Sequence, residues 1–170
     1  CEGQQWDMEF EKRQDVTVDE YMEMIRLKTS VLLAAALKIG AYLAGAPRED
    51  AEKLYDFGVK IGLAFQLQDD FLDVYGDPKV FGKNIGGDIL CNKKTYMLIT
   101  ALSQAKGTQR AELDKWLGTY EYVPEEKISA VTRIYNELGI GTLCEQMIDA
   151  YYAQGLSALE SVSLPAEQKE

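Results

Sequence analysis

Phe65-Gln66-Leu67-Gln68-Asp69-Asp70-Phe71-Leu72-Asp73 puts three carboxylates and an amide on one side of a helix with apolar flanks. At 100° per residue, Gln66, Asp69, Asp70 and Asp73 fall within about 100° of one another. Leu67, Phe71 and Val74 lie on one flank of that stripe, Phe65 and Leu72 on the other. On an exposed face the like-charge neighbours would cost only a few tenths of a kcal/mol per pair. Between flanks that press into a bundle, two carboxylates about 5 Å apart repel by roughly 3 kcal/mol at an effective dielectric near 20. Such repulsion calls for a cation. Hard oxygen ligands without Cys or His point to Mg²⁺, which keeps several waters and binds one or two carboxylates plus substrate phosphates. A solvated acidic helix face is the plain alternative, and the Asp-Asp-x-x-Asp pattern alone does not decide between them.

The next residues bear on the choice. Gly76-Asp77-Pro78, Phe81-Gly82-Lys83-Asn84-Ile85-Gly86-Gly87-Asp88 and Asn92-Lys93-Lys94-Thr95 form a glycine-rich segment with lysines, directly after the carboxylate helix. Glycines let backbone N–H groups approach an anion closely, and Lys brings a compact charge for phosphate. The segment is not a P-loop: Gly-x-x-x-x-Gly-Lys-Ser/Thr is absent and no strand-like run precedes it. The alternative is a long interhelical turn with incidental lysines.

Elsewhere the pattern predicts helix throughout. Thr17-Val18-Asp19-Glu20 has capping-box spacing and opens a helix to about Ala44, closed by Gly45 and Pro47. The carboxylate helix runs from about Asp50 to Tyr75, and Gly58 and Gly62 within it would allow a neighbouring helix to approach closely. Residues 92–106, 110–118, 124–138 and 142–161 supply four more helices. Pro124 suits a first-turn position, and Gly139 and Gly141 separate the last two. The tail from Ser163 is expected to fray.

The chain of 170 residues suffices for one core, so a single domain over residues 1–170 is expected. A net charge of −10 argues against nucleic acid and against a basic membrane-surface helix. An anionic substrate would be held by local lysines and metal, not by the overall field. Cys1, Cys91 and Cys144 are odd in number and lack zinc spacing, which reads as free thiols in a reducing compartment. The lack of His excludes His-based acid–base or triad chemistry within this chain. The apolar run from Val31 to Ala44 is short of a membrane span, is interrupted by Lys38, and reads as a buried core helix. Lys28 lies in line with Met24, Val31, Leu32 and Ala35, where a charge is out of place. From these residues alone, snorkelling of the ammonium to the surface is the preferred reading.

Four pieces together resemble the trans-isoprenyl diphosphate synthase (polyprenyl synthetase) family. They are Gly3-Gln4-x-x-Asp7, Lys28-Thr29, Phe65-Gln66-x-Gln68-Asp69-Asp70-x-x-Asp73, and Gly82-Lys83 with Asp88 and Asn92-Lys93. The third looks like that family's second aspartate-rich motif, and the order of all four agrees over nearly the whole chain. Asn84 is one extra residue compared with some members. The family's first Asp-Asp-x-x-Asp motif lies upstream of Gly-Gln-x-x-Asp and is absent here. The resemblance therefore implies the C-terminal portion of an isoprenyl synthase (terpenoid synthase) fold, an all-α bundle around a central cavity, with the N-terminal half of the same polypeptide missing.

The implied activity is a cytoplasmic, homodimeric prenyltransferase of isoprenoid biosynthesis. It condenses an allylic diphosphate with isopentenyl diphosphate using Mg²⁺, and the isolated segment is expected to be inactive. The resemblance implies Asp69 as the direct metal ligand, Asp70 and Asp73 acting partly through water, and Asp88 further out. Lys28 and Lys83 would neutralise the departing diphosphate, Gln4 and Lys93 would contact substrate, and Thr29 and Gln66 would face the developing cation. Two other functions are compatible with such a fold. A class I terpene cyclase would carry Asn/Asp-x-x-Ser/Thr-x-x-x-Glu; Asn92-x-x-Thr95 begins that pattern, but Ile99 stands where Glu should be. A non-catalytic partner subunit tends to lose its aspartates, and all three are kept here.

Overall fold

The computed structural model describes residues 2–77, 79, 85–165, 167 and 169. Among them there is no strand. Helix α1 (Glu2–Phe10) precedes α2 (Val18–Ile25), where the Thr17 hydroxyl accepts from the Glu20 N–H at 3.2 Å and the Glu20 carboxylate accepts from the Thr17 N–H at 2.9 Å. This is the capping box read from sequence. A π-helical turn (Arg26–Ser30) then leads straight into α3 (Val31–Leu43). The long α4 (Arg48–Tyr75) carries the carboxylates. After it come α5 (Gly87–Leu90), α6 (Tyr96–Gln104), α7 (Gly107–Gly118), α8 (Pro124–Glu137, its Pro in the first turn) and α9 (Ile140–Glu160). Gly139 makes the α8–α9 break at φ 68°, a left-handed conformation that glycine adopts without a Cβ penalty. No described helix is long and apolar enough to cross a membrane.

The bundle is organised on α4, which packs against α3 on one side and α9 on the other. The glycines at a four-residue interval explain the first contact. A Cβ on Gly58 would sit 2.6 Å from the Ala34 Cα, and one on Gly62 would sit 2.6 Å from the Ser30 Oγ. With only hydrogen at both positions, the two backbones come together. Leu67 and Val74 point from α4 into a core shared with Tyr21, Met24, Ile25, Met97, Leu113, Ile134 and Ile140. Each large side chain removed from water there contributes about 1.5–3 kcal/mol.

Three expectations need correcting. The helix from Thr17 to Ala44 is not regular, because the π turn inserts an extra residue and rotates the helix beyond it by about 100°. The stripe drawn through Met24, Lys28 and Leu32 is therefore broken: Met24 is buried while Leu32 is 77% exposed. Nor is α3 a buried core helix. Only Ala34 and Ala41 are buried in it, and Leu32, Leu33, Ile39, Tyr42 and Leu43 face outward, because among the described residues α4 is its one long neighbour and covers one side. Phe65, expected to press into the bundle, is 66% exposed on the same open flank.

Candidate active site

The π turn is the first structural element of the site. Gly3 of α1 lies against it so tightly that a Cβ would fall 2.3 Å from the Lys28 backbone N. Any side chain at position 3 would push α1 off this turn. The contact brings Asp7, one helical turn along α1, to the Lys28 ammonium at 2.6 Å, with both side chains about three-quarters buried. Lys28 therefore neither snorkels nor waits unpaired. Gly3 and Asp7 belong to one sequence piece, and their spacing is what holds the lysine.

Thr29, the next residue, reaches α4: its hydroxyl donates to the Gln66 Oε1 at 3.2 Å. This bond joins the Lys28-Thr29 turn to the carboxylate helix at the residue one turn before Asp69. Asp69 is half-buried and, among the described residues, makes no hydrogen bond or ion pair. Asp73, also half-buried, accepts the Asp88 N–H at 2.9 Å and so ties α4 to the start of α5. Gln66, Asp69 and Asp73 lie along a flank whose Phe65 is exposed, so the described residues form an open wall here.

Asp70 departs from expectation. It is 1% exposed, and both oxygens are engaged: one accepts from the Tyr21 hydroxyl, the other from the Lys93 ammonium at 3.0 Å. A carboxylate so enclosed is an anchor, not a metal ligand acting through water. One residue of helix rotation, about 100°, separates it from Asp69 and turns it into the core. Lys93 is engaged with it: its ammonium bridges Asp70 and Asp88, the latter at 3.1 Å. Burial pulls the Lys93 pKa down, but the two carboxylates more than offset this and hold it above its usual range. Burial pushes Asp70 up against the opposing effects of Lys93 and Tyr21. Asp88 is pushed up to about 6, by burial first and by the charges of Asp70 and Asp73, with Lys93 opposing. Asp88 thus belongs to the buried charge network behind the open face.

Among the described residues no group of three or more His, Cys, Asp or Glu side chains could hold a metal. With Asp70 withdrawn, Asp69 and Asp73 remain, one helical turn apart. Two carboxylates still fit Mg²⁺, which fills its other positions with water and substrate oxygens. Gln4 is exposed on α1. Lys83, with Gly82 and Asn84, lies outside the described residues. Sequence reasoning passed over Tyr21 and did not give Asp7 a role. The signal for Tyr21 was available: a tyrosine on a buried stripe needs a partner for its hydroxyl.

A family model described as polyprenyl synthetase matches residues 1–138. The short chain isoprenyl diphosphate synthase of Methanothermobacter thermautotrophicus is 44% identical over 139 residues, covering 82% of this chain and 42% of that protein. A crystal structure of a geranylgeranyl pyrophosphate synthase superposes with a TM-score of 0.91 at 41% identity, over 99% of this chain and 53% of that one. A geranylgeranyl pyrophosphate synthase from Corynebacterium glutamicum, complexed with isoprenyl diphosphate and magnesium, gives a TM-score of 0.87 at 30% identity, over 99% and 48% of the two chains. The chain thus spans about half the length of the relatives it matches. The family match, the shared helical fold and the Lys28-Thr29 turn bonded to a Gln66–Asp73 helix face lead to one conclusion: this chain belongs to the polyprenyl synthetase family.

Proposed function

We propose that this chain supplies one metal-binding wall of a cytoplasmic, homodimeric trans-prenyltransferase. The enzyme condenses an allylic diphosphate with isopentenyl diphosphate. The single observation that carries this reading is the Thr29–Gln66 hydrogen bond of 3.2 Å, which puts a lysine-bearing turn beside the helix face that carries Asp69 and Asp73. The two sequence pieces have 36 intervening residues between Thr29 and Gln66, and a merely acidic surface has no need to join them.

Asp69 and Asp73 would hold Mg²⁺, which when bound stabilises charge developing on the departing diphosphate and orients its oxygens. Asp69 is the better candidate for direct ligation, since Asp73 already spends one oxygen on the Asp88 N–H. Lys28, held by Asp7, presents a fixed positive charge to the diphosphate as the allylic C–O bond breaks and the electron pair leaves with pyrophosphate. Lys83 is proposed to share that task, and Gln4 to contact substrate. Thr29 and Gln66 turn dipoles toward the allylic cation left behind, preorganised before it forms. The double bond of isopentenyl diphosphate then attacks the cation, a C–C bond forms, and the proton lost restores a double bond in the product. Pyrophosphate is the base that receives it.

The test is product analysis with the complete polypeptide that contains this chain. Dimethylallyl, geranyl or farnesyl diphosphate with isopentenyl diphosphate and Mg²⁺ should give a longer linear prenyl diphosphate. A cyclic hydrocarbon formed without isopentenyl diphosphate would replace this reading with cyclisation, and absence of any product would refute catalysis.

A further inference from the structure

Lys127 on α8 is 1% exposed and, among the described residues, makes no ion pair. Its ammonium donates to the Leu90 carbonyl at 3.3 Å and to the Asn92 Oδ1 at 2.7 Å, and lies 4.3 Å from the centre of the Tyr122 ring. Burial pushes its pKa down. An ammonium buried without a carboxylate is costly, and it persists where its neighbours hold it in place.

Those neighbours converge on one turn. The Tyr122 hydroxyl also donates to the Leu90 carbonyl, at 2.9 Å. The Asn92 amide is clamped at both ends, since its Nδ2 donates to the Leu117 carbonyl at 3.1 Å. Asn92 is the only non-glycine residue at positive φ, 53°, among the described residues, a conformation its short polar side chain tolerates. Lys93 comes directly after it. The Lys93 N–H donates to the Asp88 carbonyl at 3.0 Å, and its ammonium reaches Asp70 and Asp88. A shift of this turn would move the root of the Lys93 side chain.

We propose that Lys127, with Tyr122 and Asn92, is a positioning device for Lys93. It fixes the 90–92 turn so that Lys93 neutralises Asp70 and Asp88 together, leaving Asp69 and Asp73 as the carboxylates available to a cation. None of the three latch residues is among those assigned above to the metal or the substrates. The consequence for catalysis rests on the function proposed above, while the latch itself does not.

The experiment uses Lys127→Met, Asn92→Gly and the double variant in the complete polypeptide. Glycine at 92 keeps the left-handed backbone accessible and removes both side-chain bonds of Asn92, the acceptor for Lys127 and the donor to Leu117, so it tests the latch if Lys127→Met fails to fold. Hydrogen exchange at the Leu90–Lys93 amides should rise about tenfold or more in each folded single variant, while α9 stays unchanged. With isopentenyl diphosphate, kcat should fall about 10–100-fold at nearly constant KM, and the double variant should be no worse than the weaker single one. Unchanged exchange in Asn92→Gly would overturn the latch. Raised exchange with unchanged kcat, or additive losses in the double variant, would overturn the positioning of Lys93. If the unsubstituted polypeptide lacks turnover, the proposed function falls and the exchange arm alone decides the latch.

Discussion

Tyr21→Phe isolates the buried anchor of the site. The substitution keeps the ring, which is fully buried, and deletes only the hydroxyl that donates to Asp70. Asp70 is 1% exposed, so water cannot replace that donor without opening the core. A hydrogen bond to a charged group contributes about 1.5–3 kcal/mol, and a stability loss of about 2 kcal/mol is expected. At an m-value of about 2 kcal/mol/M this lowers the urea midpoint by about 1 M, with m unchanged. The pH dependence gives the loss a signature. Asp70 has a raised pKa in the folded protein, so its stabilising contribution is present at low pH and is lost as pH rises through the folded value. Removing the Tyr21 donor raises that value further. The loss caused by Tyr21→Phe should thus be fullest at pH 8 and shrink near pH 4. Urea titration followed by circular dichroism at both pH values is the assay. A loss below about 0.5 kcal/mol at pH 8, or one that grows on acidification, would refute the assignment of Tyr21 as donor to a buried ionised carboxylate.

Four other outcomes are expected. In the complete polypeptide, Asp69→Ala should lower kcat at saturating Mg²⁺ by about 10²–10³, and Asp73→Ala by less where a water replaces it; a folded Asp69→Ala enzyme with near-normal kcat removes the metal role. Gly62→Ala places a Cβ 2.6 Å from the Ser30 Oγ and 2.8 Å from its Cα, and should cost about 1–3 kcal/mol in urea unfolding while weakening the Thr29–Gln66 contact. Asp88, with its pKa raised to about 6, should make stability decline as pH rises from about 4 to about 7, by on the order of 2–3 kcal/mol, and Asp88→Asn should flatten that slope. The 170-residue chain by itself should show no condensation activity and should elute above 19.1 kDa in gel filtration, because Leu32, Leu43 and Phe65 stay exposed; a monomeric, active chain contradicts both.

Much of the architecture was legible because it obeys local rules. The Thr17–Glu20 capping box, the four-residue spacing of Gly58 and Gly62, Pro124 at the start of α8 and the break at Gly139 each depend on residues within a few positions of one another. The family resemblance, carried by four short pieces in order, likewise lies in the linear sequence. Helix periodicity also located the stripe of Gln66, Asp69, Asp70 and Asp73 correctly as one region of α4.

The division of labour within that stripe was decided only by tertiary packing. A stripe about 100° wide has an inner edge and an outer edge, and periodicity alone cannot say which neighbour meets which edge. Tyr21 from α2 and Lys93 from the turn before α6 meet the inner edge, and they convert Asp70 from a candidate ligand into an anchored core group. The pairing of Lys28 with Asp7 depends on Gly3 lying on a π turn, whose extra residue leaves no mark in an otherwise regular apolar pattern. Sequence by itself determined most of the longer helices, the family and the chemistry that these residue types can perform. Which carboxylate stays available, and which lysine is spent holding the others, was fixed by contacts between residues 21 to 49 positions apart, where burial and charge pairing set each group's state.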